Sequence, residues 1–478
     1  MSKSLKIKLL ISSGILLKFF EKIFIFLTTF IFSIWSARLI GPESIGFYGI
    51  IVSILFFFET IIYNSQSTFY LQKNDPNNSL FFTFLFSSLV SGIFIFTVLN
   101  FVFFFVNLDL LFFDFSFYIR IISFRILFES INSIEKVYFI KNNKIIVQLF
   151  ISFFSIILGI IFGYLLIING YFFVGLFGNL IISSLTNLIL STSYILLISK
   201  PLKILTYDKT IFKISFKFGF VAMIDSLLSL IKRFFLGIFY STSLLAFFQK
   251  GSQFPELVLN ILSSTFSPIY ASNTAKVLNE KQSHFILFNS FNSFFSLVTF
   301  PLLFILIGLG QDIIFVLLGN EWLYSYSFLV IISISLLFLP TQILSEISLK
   351  TYNSGSLFLS MSIIKRIFGL FIFFISIYFG FDYFLYGFIV YEFVSLLFSL
   401  ILLSRLLTFS FFLVLKEIMI NIIFSFPILL ITSYLSRSLS QSLLNILLTS
   451  SISMIFYVLI NLMFRKKFIV KLFSFIFQ

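Results

Sequence analysis

The side chains with chemical capacity in this sequence are charges set in apolar surroundings. The stretch FYIRIISFRILFESINSIEKVYFI, residues 117–140, places Arg120, Arg125, Glu129, Glu135 and Lys136 among Phe, Ile, Leu and Val. A second stretch, SLIKRFFLGIFYSTSLLAFFQKGSQFPE, residues 229–256, holds Lys232, Arg233, Lys250 and Glu256. Lys18, Lys22, Glu59, Asp225, Lys365 and Arg366 sit in equally greasy surroundings. With no cysteine and the single His284, the chain lacks thiolate chemistry and disulfides, and neither a metal centre nor His-based catalysis is supported. What remains is binding of an anion by Arg and Lys, ion pairing between helices, and exchange of a proton or cation at a carboxylate.

These groups must be carried by membrane helices. Hydrophobic residues make up 59% of the chain, charged residues 10%, and the mean hydropathy is +1.12, far outside the soluble range. Hydropathy predicts an all-α polytopic membrane protein of about 14 transmembrane helices. Six fall near 9–36, 43–63, 80–106, 117–139, 145–168 and 172–199. Six more fall near 214–239, 243–268, 284–309, 325–350, 357–380 and 384–405, and a final pair near 415–435 and 442–463. The basic, apolar N-terminus lacks a small-residue cleavage site, so a long first helix is expected rather than a signal peptide. The 78 phenylalanines read as bulk hydrophobe.

Charge sorts against this map. Of the 32 Lys and Arg residues, 21 fall outside the spans, and nineteen of these, such as Lys3, Lys73, Lys141, Lys203, Lys281 and Lys466, lie on one side. The opposite loops carry Arg38 and Arg437 but also Glu43, Asp109, Asp114, Asp312, Glu321 and Asp382. The positive-inside bias places both termini in the cytoplasm. Because the basic residues are scattered between apolar runs, the net charge of +14 does not indicate nucleic acid.

The sequence also repeats. ARLIGPESIGFY after the first span and GIFYSTSLLAFF after the seventh align without gaps at an offset of 200 residues. In each, a long helix ends, a four-residue turn follows, and the next helix opens with a bulky residue, a small one and two aromatics: Ile45, Gly46, Phe47 and Tyr48 against Leu245, Ala246, Phe247 and Phe248. Parallel six-helix repeats are predicted, with domains over 1–199 and 200–405 and an added pair over 406–478. At about 2.5–3.5 kcal/mol per charge at a helix centre, against about 0.3–0.6 returned by each large apolar residue, the fourth span does not insert stably alone. Arg125 and Glu129 are expected to pair across one helical turn or to face a wet cavity. Every intramembrane charge is assigned to the first twelve spans and none to the last two. The cationic excess predicts an aqueous, anion-attracting chamber between two lobes, suited to a phosphate or pyrophosphate.

Three segments resemble the polysaccharide transporter family, which includes Wzx-type O-antigen flippases, within the multidrug/oligosaccharidyl-lipid/polysaccharide exporter superfamily. ARLIGPESIGFYG resembles its first loop, IKRFFLGIFYSTSLLAFFQKGSQFPELVLNILSSTFSPIYAS its central signature, and FPLLFILIGLGQDIIFVLLGNEWLYSYSFLVIISI a segment in which an apolar run ends in a Gly, an acid and a Trp, here Gly319, Glu321 and Trp322. The resemblance implies a V-shaped, MATE-like helical transporter, not an enzyme. It would move undecaprenyl-diphosphate-linked oligosaccharide to the outer leaflet of the bacterial inner membrane by rocking of its lobes. A polysaccharide polymerase and other assembly proteins are implied partners. Substrate contact falls to Arg38, Lys232, Arg233 and Lys250 within the matching motifs. Arg120, Arg125, Lys18, Lys22, Lys365 and Arg366 are candidates from burial alone.

Glu59, Glu129 and Asp225 are the candidates for coupling to a proton or sodium gradient, and no cofactor or metal is expected. Pro42 has no proline counterpart in the second repeat, where Thr242 stands. A lipid II flippase and a drug or cation antiporter of the same superfamily are the alternatives, the latter disfavoured by the cationic interior. A membrane polymerase or ligase requires a large external loop, whereas the longest one expected here is GQDIIFVLLGNEWLY.

Overall fold

The computed structural model describes residues 23–67, 70, 79–105, 115–198, 219, 223–224, 226–275, 277, 280–352, 356–438 and 440–477. Among them every regular element is helical. In chain order these are α1 (Ile23–Ile40), α2 (Pro42–Ile62), α3 (Ser79–Phe105), α4 (Phe115–Lys141), α5 (Ile145–Ile168), α6 (Phe172–Ile198) and α7 (226–235). There follow α8 (Thr242–Thr274), α9 (Lys281–Leu318), α10 (Ser325–Leu336), α11 (Leu339–Tyr352), α12 (Ser356–Phe379), α13 (Phe381–Leu407), α14 (Phe411–Ser438) and α15 (Leu443–Phe477). Turns of π-helix extend α2 over Tyr63–Ser67 and α7 over Leu236–Tyr240.

Among the described residues, ten helices are long and apolar enough to cross a bilayer, and α10 with α11 makes an eleventh as one span broken by 42°. That break falls where Pro340 lacks an amide hydrogen to donate. α4 and α8 have the length but are diluted by charged and polar residues such as Arg120, Arg125, Lys136, Lys250 and Glu256. α9 is longer than its sequence suggested. It runs on to Leu318, so most of the expected external loop is helix, and Asp312 is buried rather than solvated. Its side chain accepts a hydrogen bond from the Ser436 hydroxyl of α14.

The chain divides into two compact units, Met1–Leu245 and Ala246–Gln478. In the first, α3 packs on α4, α5 on α6, and α4 on both α2 and α6. The second repeats these pairings as α9 on α10, α12 on α13, and α13 on α10 and α11, then adds α14 and α15 against α9.

The repeated turn occurs where the sequence placed it but is one residue long rather than four, because the next helix opens at once. Gly41 and Ser241 are the single non-helical residues before α2 and α8, which open at Pro42 and Thr242. Gly41 turns the chain at φ +83°, open to glycine at little cost, and Pro42 then supplies a preset helical φ at the first position. The aromatic pairs dock on corresponding helices. Phe47 meets Phe115 and Tyr118 at the start of α4 and Phe173 on α6, while Tyr48 meets Phe177. Phe248 meets Phe328 on α10 and Phe388 on α13, while Phe247 meets Trp322 and Tyr324 just before α10.

Candidate functional site

α4 carries six charged residues, more than any other helix of the first unit among the described residues. Arg125, Glu129, Asn132 and Lys136 recur at three- and four-residue steps and so share one face. Arg125 Nε donates to Glu59 Oε1 of α2 at 2.7 Å, with both side chains about one-eighth exposed (13% and 12%). Its Nη1 reaches the Leu180 carbonyl of α6 at 3.4 Å, and its guanidinium lies 5.8 Å from the centre of the Phe56 ring. Glu129 accepts from Lys136 Nζ at 3.1 Å and from Asn132 Nδ2 at 3.3 Å. The Asn132 amide also donates to the Ser184 carbonyl of α6 at 3.0 Å. One turn further on, Glu135, only 1% exposed, accepts from the Ser191 hydroxyl of α6.

The expected pairing of Arg125 with Glu129 is therefore corrected. Glu129 is drawn along its own helix by Asn132 and Lys136, and α2 supplies Glu59 to the guanidinium instead. Such a ladder offsets the cost of burying charge because Arg125, Glu59, Glu129 and Lys136 are each paired with an opposite charge and hydrogen-bonded.

The other predicted residues lie apart from it. Arg120 is half-buried near the start of α4 and donates from Nε to the Ser116 carbonyl of its own helix at 3.1 Å. Lys232 and Arg233 are half-buried on α7, Arg38 is exposed in the last turn of α1, and Lys250 is buried on α8. On α12, Lys365 is buried and bonds Glu346 of α11 at 2.9 Å, whereas Arg366 Nη1 donates to the Ser362 carbonyl at 3.2 Å. Lys18, Lys22 and Asp225 lie outside the described residues.

Two polar clusters escaped the sequence reading. Gln342 of α11 donates to the Glu392 carbonyl at 2.8 Å and to its carboxylate at 3.0 Å, and accepts from Ser395 at 2.8 Å. The last two helices, expected to be free of charge, hold Arg465 10% exposed. Its Nη1 donates to Asn421 Oδ1 at 2.6 Å, and its Nη2 lies 3.7 Å from Glu417. The signal was present in the four-residue spacing of Glu417, Asn421 and Ser425 against that of Tyr457, Asn461 and Arg465. Among the described residues, no group of three His, Asp or Glu side chains stands close enough to hold a metal ion.

A buried polar ladder inside a duplicated helical membrane fold is the arrangement against which known proteins were compared. The model of a family described as polysaccharide biosynthesis proteins matches residues 36–327, more than half of the chain. The chain belongs to that family. Comparison with curated proteins gives no match.

Among solved structures, the lipid II flippase MurJ in an inward closed conformation superposes with a TM-score of 0.74 at 16% identity, covering 95% of this chain and 99% of MurJ. A multidrug resistance MATE family transporter of the MOP superfamily matches in its inward-facing form with a TM-score of 0.63 at 14% identity, over 80% of this chain and 96% of the transporter. An outward-facing MATE structure gives 0.58 at 13% identity, over 83% and 95%. This member of the polysaccharide biosynthesis family is thus a multi-span membrane protein with a fold carried by transporters and flippases of the MOP superfamily.

Proposed function

We propose that the protein is a flippase that moves an undecaprenyl-diphosphate-linked oligosaccharide, a repeat unit of O-antigen, capsule or exopolysaccharide, across the bacterial cytoplasmic membrane, with both termini in the cytoplasm. Repeats over 1–199 and 200–405 alternate access, and the pair over 406–478 completes the chain. The observation that carries this reading is the sorting of the intramembrane cations. Arg125, Lys136 and Lys365 are each held by a carboxylate. Arg120 and Arg233 have no carboxylate partner among the described residues.

A guanidinium in a membrane span without a counter-ion is costly, and an anionic ligand offsets that cost. Arg120 stands five residues into α4 and Arg233 seven residues before the end of the π turn at Tyr240. At about 1.5 Å of rise per residue, each lies roughly 8–10 Å from the end of its helix. In the proposed topology both ends are extracytoplasmic, so the two forks stand at similar depth. Each guanidinium presents donors in a planar array that fits phosphate oxygens, and their positive charge disfavours a cationic drug. Arg38, Lys232 and Lys250, which lie in the matching motifs, are further proposed substrate contacts. Glu59, Glu129 and Asp225 are the proposed coupling carboxylates, and the polymerase that consumes the product is the proposed pathway partner.

The likeness to MurJ favours lipid II, another polyprenyl diphosphate, as the second reading. Deleting the gene and testing which leaflet holds lipid-linked repeat units, by their access to an impermeant sugar-modifying enzyme, separates the two. Cytoplasmic accumulation with loss of surface polymer supports polysaccharide flipping. Growth arrest with accumulation of lipid II supports the second reading. Replacing Arg120 and Arg233 together by Gln should lower export at least about tenfold, equivalent to losing about 1.4 kcal/mol of phosphate recognition, with normal protein in the membrane. Undiminished export by that variant overturns the assignment.

A further inference from the structure

We propose that Glu135 is a proton-binding site, and that through it a proton gradient drives the flipping reaction proposed above, on which reading this inference rests. Glu135 was not among the carboxylates that sequence reasoning selected, and it differs from them in its partner. Glu59 and Glu129 accept from Arg125 and Lys136, whereas Glu135 accepts from a neutral hydroxyl, that of Ser191. At 1% exposure it is cut off from solvent, and the same Ser191 is fixed by the Asn187 carbonyl one turn back on α6 at 2.7 Å.

The surrounding elements supply little charge to balance a carboxylate here. On α4 the neighbouring Lys136 is turned to Glu129, 3.1 Å away. Lys141, at the end of α4, lies over the Tyr70 ring at 4.1 Å, and Lys144, beside α5, lies over Tyr194 of α6 at 5.4 Å. The nearest carboxylate of α2, Glu59, is committed to Arg125, and α3 carries no ionisable residue.

An ionised carboxylate sealed from water with one hydroxyl to solvate it costs several kcal/mol, while a carboxylic acid fits the same space as a neutral group. The described arrangement is therefore the one that the protonated acid stabilises. Loss of the proton favours an arrangement in which the contact of α4 with α6 admits water. Each state of the seam binds the proton with its own affinity, so by linkage the proton shifts the balance of the two states. One proton is taken from water onto a Glu135 oxygen and returned to water in each cycle, with no other bond made or broken. The seam is suited to this role because its other two side-chain hydrogen bonds, Arg125 with Leu180 and Asn132 with Ser184, end on backbone carbonyls of α6. Titrating Glu135 changes the α4–α6 seam at one point and leaves those contacts in place.

Two measurements test this on the full-length protein. The first is the infrared difference spectrum of the purified protein between acid and alkaline pH. The wild type should show the carbonyl stretch of a protonated carboxylic acid, and Glu135→Gln should lack it. The second is translocation of undecaprenyl diphosphate bearing a fluorescent disaccharide in proteoliposomes, with and without an imposed proton gradient. The gradient should accelerate the wild type and leave Glu135→Gln unchanged.

A Glu135→Gln protein that keeps the band or the acceleration overturns the proposal. If the wild type moves no lipid under any gradient, the flippase reading fails, and the infrared band still decides the proton site. Should Glu135→Gln fail to accumulate, Ser191→Ala takes its place. Loss of the hydroxyl should move the pH at which the band is half-formed, and an unmoved midpoint refutes the assignment.

Discussion

α4 and the α10–α11 pair hold the same place in their repeats, fourth in each, and they solve different problems. Both receive the aromatic pair of the second helix, Phe47 on Phe115 and Tyr118, and Phe248 on Phe328. Yet α4 is one helix of 27 residues with five charges inside it, whereas its counterpart bends by 42° and carries no charge before Glu346. The repeat preserves how helices dock. It does not preserve where charge is buried, so the ionic ladder belongs to the first unit alone and must be held by its own partners, Glu59 foremost.

Removing one of those partners should produce the largest effect. Arg125→Met leaves Glu59 about one-eighth exposed without its cation, a loss of about 3–5 kcal/mol, read as a lowered midpoint of thermal unfolding in detergent. Glu59→Leu combined with Arg125→Met removes both charges and should recover most of that stability. If the double variant is as unstable as the sum of the single ones, the pair is not a unit, and the contrast between α4 and α10–α11 reduces to composition.

A middle-sized effect is expected at the repeated turn, where the two halves are most alike. A β-carbon on Gly46 would stand 1.8 Å from the Thr242 carbonyl oxygen, within the first unit, so backbone must move to admit it. Gly46→Ala should therefore cost about 1–3 kcal/mol, as over-packing does. The equivalent residue is already alanine and fully buried, and Ala246→Gly should cost only about 0.5–1 kcal/mol, the helix penalty of glycine. Equal losses at the two positions would mean that the turns are not packed differently after all.

The backbone was legible because its determinants are local. Apolar runs ended by Gly41–Pro42 or by Gly170 and Gly380 set the helices within a few residues, and the offset of 200 residues fixed the second turn at Ser241. What failed was read one helix at a time. Helical spacing put Arg125 and Glu129 on one face, but whether they meet depends on α2, which no spacing on α4 reveals. Glu417 and Arg465 looked like loop charges near helix ends until α14 and α15 were seen to bring them to 3.7 Å. Asp312 looked solvated because the hydropathy of α9 falls before the helix does. Glu135 is absent from the coupling candidates that the sequence offers, since a serine partner 56 residues away leaves no mark in it.

The smallest effect should come from the ion pair of the second unit, and its asymmetry is the finer test. Lys365 is 4% exposed, whereas its partner Glu346 is 31% exposed. After Lys365→Met the carboxylate left behind is the less enclosed partner, so the loss should be about 1 kcal/mol, that of an ordinary hydrogen bond. After Glu346→Gln the buried ammonium keeps a neutral amide oxygen and no counter-charge, which should cost about 1–3 kcal/mol. The inequality, measured as two unfolding midpoints in one detergent, follows from exposure alone. If Lys365→Met proves as damaging as Arg125→Met, the second unit carries a buried ionic element of equal weight, and the two repeats differ in the position of their charge rather than in its amount.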